Sequence, residues 1–69
     1  MIHLQLNHTY AVRDPDFCKS MKWPVQDTII KEDPSGEKDF IGASGISYYR
    51  NGTVYGEYQK WGDDLVREI

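Results

Sequence analysis

Tyr48-Tyr49-Arg50-Asn51-Gly52-Thr53-Val54-Tyr55 is the stretch whose reading decides the fold. Asn-Gly accepts the two positive φ angles of a type I′ turn, and it sits here between residues that favour extended backbone, so the stretch predicts a β-hairpin with a two-residue loop. Arg50 then pairs with Thr53, Tyr49 with Val54 and Tyr48 with Tyr55, and adjacent pairs point to opposite faces of the ribbon. Both faces carry aromatic residues. Tyr49 and Tyr55 are therefore expected to do different jobs, one anchoring the core and the other reaching outward.

The segments on either side extend the same pattern. Tyr58 and Trp61 continue the aromatic region, Gly62 breaks it, and Asp64-Leu65-Val66-Arg67-Glu68-Ile69 reads as a final short strand. Upstream, Thr28-Ile29-Ile30-Lys31 is a β-branched run, and Asp33-Pro34-Ser35-Gly36 is a turn leading to a returning strand at Asp39-Phe40-Ile41-Gly42. Gly42, Ser44 and Gly45 leave room for a bulge or a close backbone crossing. The opening Met1-Ile2-His3-Leu4-Gln5-Leu6 alternates apolar and polar residues as a half-buried strand does, Asn7-His8 turns, and Thr9 to Arg13 forms a second extended run ended by Asp14-Pro15. Asp16 to Met21 is a loop or a short helix between Pro15 and Trp23-Pro24. The fold class is all-β or β-rich: a small, twisted antiparallel sheet of four to six short strands, with an SH3-like barrel as its closed form. Residues 1–69 make a single domain. Tyr10, Trp23, Phe40, Tyr48 and Trp61 are the aromatic candidates for its core.

Charge and cysteine usage exclude several classes. Eleven acidic against eight basic residues leave a net charge of −3 with interspersed signs, which disfavours a general affinity for nucleic acid. There is no dense carboxylate run of the kind that imitates a DNA backbone, although Asp63-Asp64 and Glu32-Asp33 are local acidic pairs. Cys18 is the single cysteine, so no internal disulfide exists, and a lone thiol fits a reducing cytoplasm. The opening lacks the basic flank and apolar run of a signal peptide, and no stretch has the roughly 20 apolar residues of a membrane span. The expectation is a soluble cytoplasmic protein without membrane contact. On that reading Asn7-His8-Thr9 and Asn51-Gly52-Thr53, both glycosylation sequons, act as turns.

No catalytic or metal chemistry emerges. His3, His8 and Cys18 match no compact zinc spacing, and Cys18 reads as a buried, inert thiol rather than a nucleophile activated by His8. Asp14, Asp16, Asp63 and Asp64 read as surface carboxylates that cap turns and solvate strand ends. Gly42-Ala43-Ser44-Gly45 lacks the Gly-Lys-Ser/Thr ending and following helix of a phosphate loop. The chain is read as a non-enzyme that needs no cofactor.

Tyr10-Ala11-Val12-Arg13-Asp14, Tyr48 to Gly56 and Asp64-Leu65-Val66-Arg67-Glu68 are spread along the chain from position 10 to position 68. In these stretches it resembles small orphan proteins of bacteriophage genomes, which carry a Tyr-x-x-Arg-Asp element, an Asn-Gly or Asp-Gly hairpin and a closing Asp-Leu-Val-x-Glu. Such proteins commonly have glycine after Arg-Asp, where this chain has Pro15. The resemblance implies a phage accessory protein acting in the host cytoplasm against a host enzyme or defence system.

The expected function is stoichiometric binding that inhibits a host or defence protein, through Tyr49, Arg50, Tyr55 and Tyr58 as partner-binding residues. One alternative is an oligomeric sponge for a nucleotide-type ligand, with Arg13, Arg50 or Lys60 on phosphate and tyrosines on bases. The other is a small nucleic-acid-binding barrel. Self-association into a homo-oligomer is also expected, because a chain this short has neither disulfide nor metal to support it.

Overall fold

Thr9–Val12 (β1) combines two β-branched, one aromatic and one small apolar side chain, and Tyr10, Ala11 and Val12 are all buried. A strand buried on both faces belongs inside a sheet. β1 is flanked by Gln26–Glu32 (β2) and Leu65–Glu68 (β5), while Phe40–Gly42 (β3) and Ser47–Tyr48 (β4) continue beyond β2. All pairs are antiparallel, in the order β4-β3-β2-β1-β5. The computed structural model describes residues 2–56 and 58–69, so Met1 of the opening alternation lies outside the described residues.

The β-rich expectation holds, with five antiparallel strands and one short helix among the described residues. Two bulges curl the sheet. Ile29 pairs with Gly42 and Lys31 with Ile41, leaving Ile30 as the extra residue on β2. Ala11 pairs with Arg67 and Val12 with Leu65, leaving Val66 as the extra residue on β5. Each extra residue bends its strand and increases the local twist, so the sheet becomes a half-barrel. The edge strands β4 and β5 do not pair. Residues 50–54 bridge the gap instead, with the Leu65 N–H donating to the Gly52 carbonyl at 2.8 Å and the Leu4 N–H to the Arg50 carbonyl at 2.8 Å.

That bridge corrects the hairpin expected around Asn51-Gly52. Asn51 does not have a positive φ, whereas Gly52 does, at +91°. The Gly52 N–H donates to the Tyr49 carbonyl and the Tyr49 N–H to the Thr53 carbonyl, so Tyr49 faces Thr53 across a three-residue loop, Arg50-Asn51-Gly52. This is the turn-plus-left-handed-residue arrangement, not the type I′ turn. A Cβ at Gly52 would also collide with the Leu65 carbonyl. The ribbon then stops, because the Val54 N–H is taken by the Asp64 carboxylate rather than by a partner strand.

The opening segment differs too. Leu4 is buried, but residues 2–5 form no strand, and Leu6 is exposed because Asn7 turns the chain at φ +69°. The undecided stretch after Pro15 is a helix, Pro15–Ser20 (α1), with Pro15 in its first turn. The Asp14 carboxylate caps it by accepting the Phe17 N–H at 3.0 Å. α1 delivers Cys18 to the core beside Tyr10, Ile29, Tyr48 and Leu65, all fully buried. Removing Ile29 and Leu65 from water contributes about 2 kcal/mol each. Of the aromatic core candidates, Tyr10 and Tyr48 are buried, Trp23 and Phe40 are half-buried, and Trp61 is exposed. Among the described residues no helix is long and apolar enough to cross a membrane.

Candidate binding groove

Three buried aspartates organise one end of the molecule. Asp27, on β2, accepts the Tyr48 hydroxyl at 2.7 Å, the Thr28 N–H at 3.0 Å, and both the N–H and hydroxyl of Ser44. It therefore ties the β3–β4 turn to β2. Asp64, with no exposed surface, accepts the Val54 N–H at 3.0 Å, the Trp61 N–H at 2.8 Å and the Arg13 guanidinium at 3.2 Å. Both carboxylates are well supplied with donors, which is the condition for burying a charge without large cost.

Asp63 is different. It is only 7% exposed, and its Oδ1 has no hydrogen-bond partner among the described residues. Burial pushes its carboxyl above the usual aspartate range and the neighbouring Asp64 adds to this, while its own backbone N–H and Lys38 pull the other way. The expectation of surface aspartates is thus corrected: Asp63 and Asp64 are both inside, because the turn after Gly62 folds inward to meet residues 50–54. They form no acidic surface patch.

Asp63 lines a groove of about 520 Å³ whose walls are Trp23, Pro24, Ile46, Val54, Tyr55 and Trp61. The aromatic walls form a connected row. Phe17 meets Trp23 edge-to-face at 5.6 Å and Trp61 at 5.9 Å, and Trp61 meets Tyr55 at 5.8 Å. Such contacts hold the rings in defined orientations. Gly62 is required here, since a Cβ would run into the Phe17 ring that supports both tryptophans. Ser44, at the groove's edge, spends its hydroxyl between Asp27 and the Ile46 N–H.

Of the four residues expected to bind a partner, the structure brings Tyr49 together with Tyr55 and with Arg50, and leaves Tyr58 apart. Tyr49 and Tyr55 share the Lys38 ammonium, which lies 5.7 Å from one ring centre and 5.6 Å from the other. Both are exposed, Tyr49 at 36% and Tyr55 at 56%, so the inward and outward division between them is overturned. The three-residue loop shifts the register, and the anchoring role falls to Tyr48. Arg50 is exposed and lines a second depression of about 350 Å³ together with Tyr49, His3 and Asp39, and neither Tyr49 nor Arg50 lines the groove. Tyr58 is 96% exposed and does not line the groove. Trp23, Trp61 and Asp63 escaped the sequence reading. The signal available was an aspartate pair directly after Trp61-Gly62, a turn too apolar on one side to be a simple solvated corner.

The residues considered for chemistry are engaged elsewhere. Cys18 donates weakly to the Gly62 carbonyl at 3.6 Å, and its thiol is pushed up by burial and by Asp63 and Asp14, away from the reactive thiolate. His8 pairs with Glu68 at 2.9 Å on the surface. Arg13 and Lys60 line one shallow depression of about 280 Å³, but the Arg13 guanidinium is paired with Asp64 and Arg50 lies outside it. Among the described residues no set of three His, Cys, Asp or Glu side chains is placed to hold a metal. Compared with models of protein families, with curated proteins and with solved structures, the chain finds no match.

Proposed function

We propose that this chain is a non-catalytic binding protein of phage type that inhibits a host or defence protein by stoichiometric occupancy, with the Trp23, Tyr55 and Trp61 groove as its contact surface. One observation carries the reading: Tyr55 and Trp61 stand partly in solvent, at 56% and 39% exposure, yet are held in a connected edge-to-face row around a concave apolar site. Tryptophan and tyrosine with little freedom left to lose are the side chains that concentrate binding energy at protein interfaces. Tyr49 supports the same face through Lys38, and Arg50 lies beyond it as a peripheral contact. Such a surface acts by shape and desolvation and requires no cofactor. The phage-type and inhibitory parts of the reading rest on the sequence resemblance through Tyr10 to Asp14, Tyr48 to Gly56 and Asp64 to Glu68, and they place its action in the host cytoplasm.

The test is capture by the immobilised full chain from bacterial extract, with Trp61→Ala as the matched control. A single protein bound in stoichiometric amount and lost in the folded variant supports the reading. Heat-released nucleotide in place of protein would favour the sponge and overturn it.

A further inference from the structure

Asp63 is the one buried side chain with an unpartnered polar atom among the described residues; the residue lines the groove, while Oδ1 itself is covered, so pairing with it requires the carboxyl to turn toward the groove. The contrast with Asp27 and Asp64 matters. In those two the fold supplies hydrogen-bond donors from three other residues each. Leaving a buried acceptor unmade costs about 1–3 kcal/mol, and more for a charged group, so a donor arriving from outside recovers a penalty already present in the free protein. The nearest cation described around the site does not supply it. Lys38 stays over the rings of Tyr49 and Tyr55 and donates to the Ser47 carbonyl at 3.4 Å.

The walls select among donors. A neutral donor would gain only burial and stacking from Trp23, Tyr55 and Trp61, whereas a cation is attracted in addition by the faces of the rings and by the carboxylate charge. A guanidinium suits the site better than an ammonium, because it is planar, stacks on aromatic rings, sheds water more readily and presents several donors to a carboxylate. Building on the groove as the partner surface, we propose that its occupant is an arginine side chain of the partner protein, with the guanidinium between the aromatic walls and paired with Asp63.

The chain contains two tryptophans, and both line the groove, so intrinsic fluorescence reports occupancy directly. The full chain is titrated with a blocked pentapeptide carrying one central arginine among alanines, and with its citrulline counterpart, which has nearly the same shape without the charge. The arginine peptide is expected to shift the emission saturably, and the citrulline peptide to bind at least about tenfold more weakly, the effect of one charge-assisted hydrogen bond. Asp63→Asn is expected to narrow the difference between the two peptides to the smaller preference that the aromatic walls alone supply. Equal binding of both peptides to the wild-type chain, or no saturable shift with either, overturns the proposal without recourse to a variant. An emission change that depends on protein concentration alone assigns the groove to a second copy of the chain and overturns it as well. If peptide discrimination fails while Trp61→Ala still abolishes capture of the protein partner, the arginine assignment falls and the groove keeps its function. If Trp61→Ala leaves capture intact, the reading of the groove itself falls.

Discussion

The Asp64 carboxylate accepts the backbone N–H of Trp61 at 2.8 Å, so a residue with no exposed surface sets the position of one that forms a wall of the groove. The other Asp64 oxygen holds Val54, on the facing part of the same groove. Core and groove are therefore joined through one side chain.

Asp64→Ala should be among the most damaging single changes, because it strands two backbone donors and the Arg13 guanidinium together. The expected loss is on the order of 3 kcal/mol, read from urea denaturation midpoints. A midpoint close to wild type would show that the groove stands without this link.

Asp63 gives stability a distinctive pH dependence. Its folded carboxyl holds a proton more tightly than the unfolded chain does, so it contributes fully below the ordinary aspartate value of 3.8 and loses that contribution as pH rises through its raised value. Asp33 acts oppositely: its turn hydrogen bonds, led by the Ser35 hydroxyl, hold its pKa down, and that contribution disappears as pH falls below 3.8. Thermal melts from about pH 3 to 7 should show Asp63→Asn removing the decline on the neutral side, whereas Asp33→Asn should alter only the acid limb. Unchanged neutral-side behaviour in Asp63→Asn would place its carboxyl in solvent.

Gly52→Ala forces a left-handed backbone on a residue with a Cβ and drives that Cβ into the Leu65 carbonyl. The expected cost is about 2–3 kcal/mol by chemical denaturation. Asn51→Gly separates the two turn types, since it suits a type I′ loop but here discards the side chain that accepts the Thr53 N–H and hydroxyl. It should destabilise by about 1 kcal/mol. A stabilised Asn51→Gly chain would restore the two-residue loop.

Tyr48 donates to Asp27 at 2.7 Å, and burial together with this carboxylate raises its phenol well above the ordinary tyrosine range. Its proton is held more tightly when folded, so its contribution is complete below about pH 10 and declines as the solution becomes more alkaline. Tyr48→Phe should cost about 1–2 kcal/mol at neutral pH and weaken the alkaline decline. Ultraviolet titration should show Tyr48 ionising only with unfolding, and titration alongside the exposed tyrosines would contradict its buried hydrogen bond.

Much of the sheet was legible in short-range pattern. Asp14-Pro15 marked the end of the first strand, Asp33 to Gly36 marked the β2–β3 turn, and Gly62 marked the break before the last strand. Ile2 to Leu6 misled because alternation says nothing about pairing: Leu4 is buried and donates to the Arg50 carbonyl across the barrel gap, whereas Leu6 is exposed at the turn that Asn7 makes. Asn51-Gly52 misled for a related reason. Its local preference is for two positive φ angles, but docking Gly52 against Leu65 and holding Val54 on Asp64 favours the three-residue loop. The groove was hidden because it joins Trp23, Tyr55 and Trp61 through Phe17, and no single periodic stretch contains those contacts.

The most direct test of the central claim is calorimetry of the captured partner against Trp61→Ala, Tyr55→Ala, Arg50→Ala and Tyr58→Ala, each first shown to melt close to wild type. The groove account predicts that Trp61→Ala and Tyr55→Ala weaken binding by about 2 kcal/mol or more. Arg50 and Tyr58 lie outside the groove lining, and their alanine variants should change affinity by less than about 1 kcal/mol. Full affinity in Trp61→Ala and Tyr55→Ala, with the loss falling on Arg50→Ala or Tyr58→Ala, would contradict it.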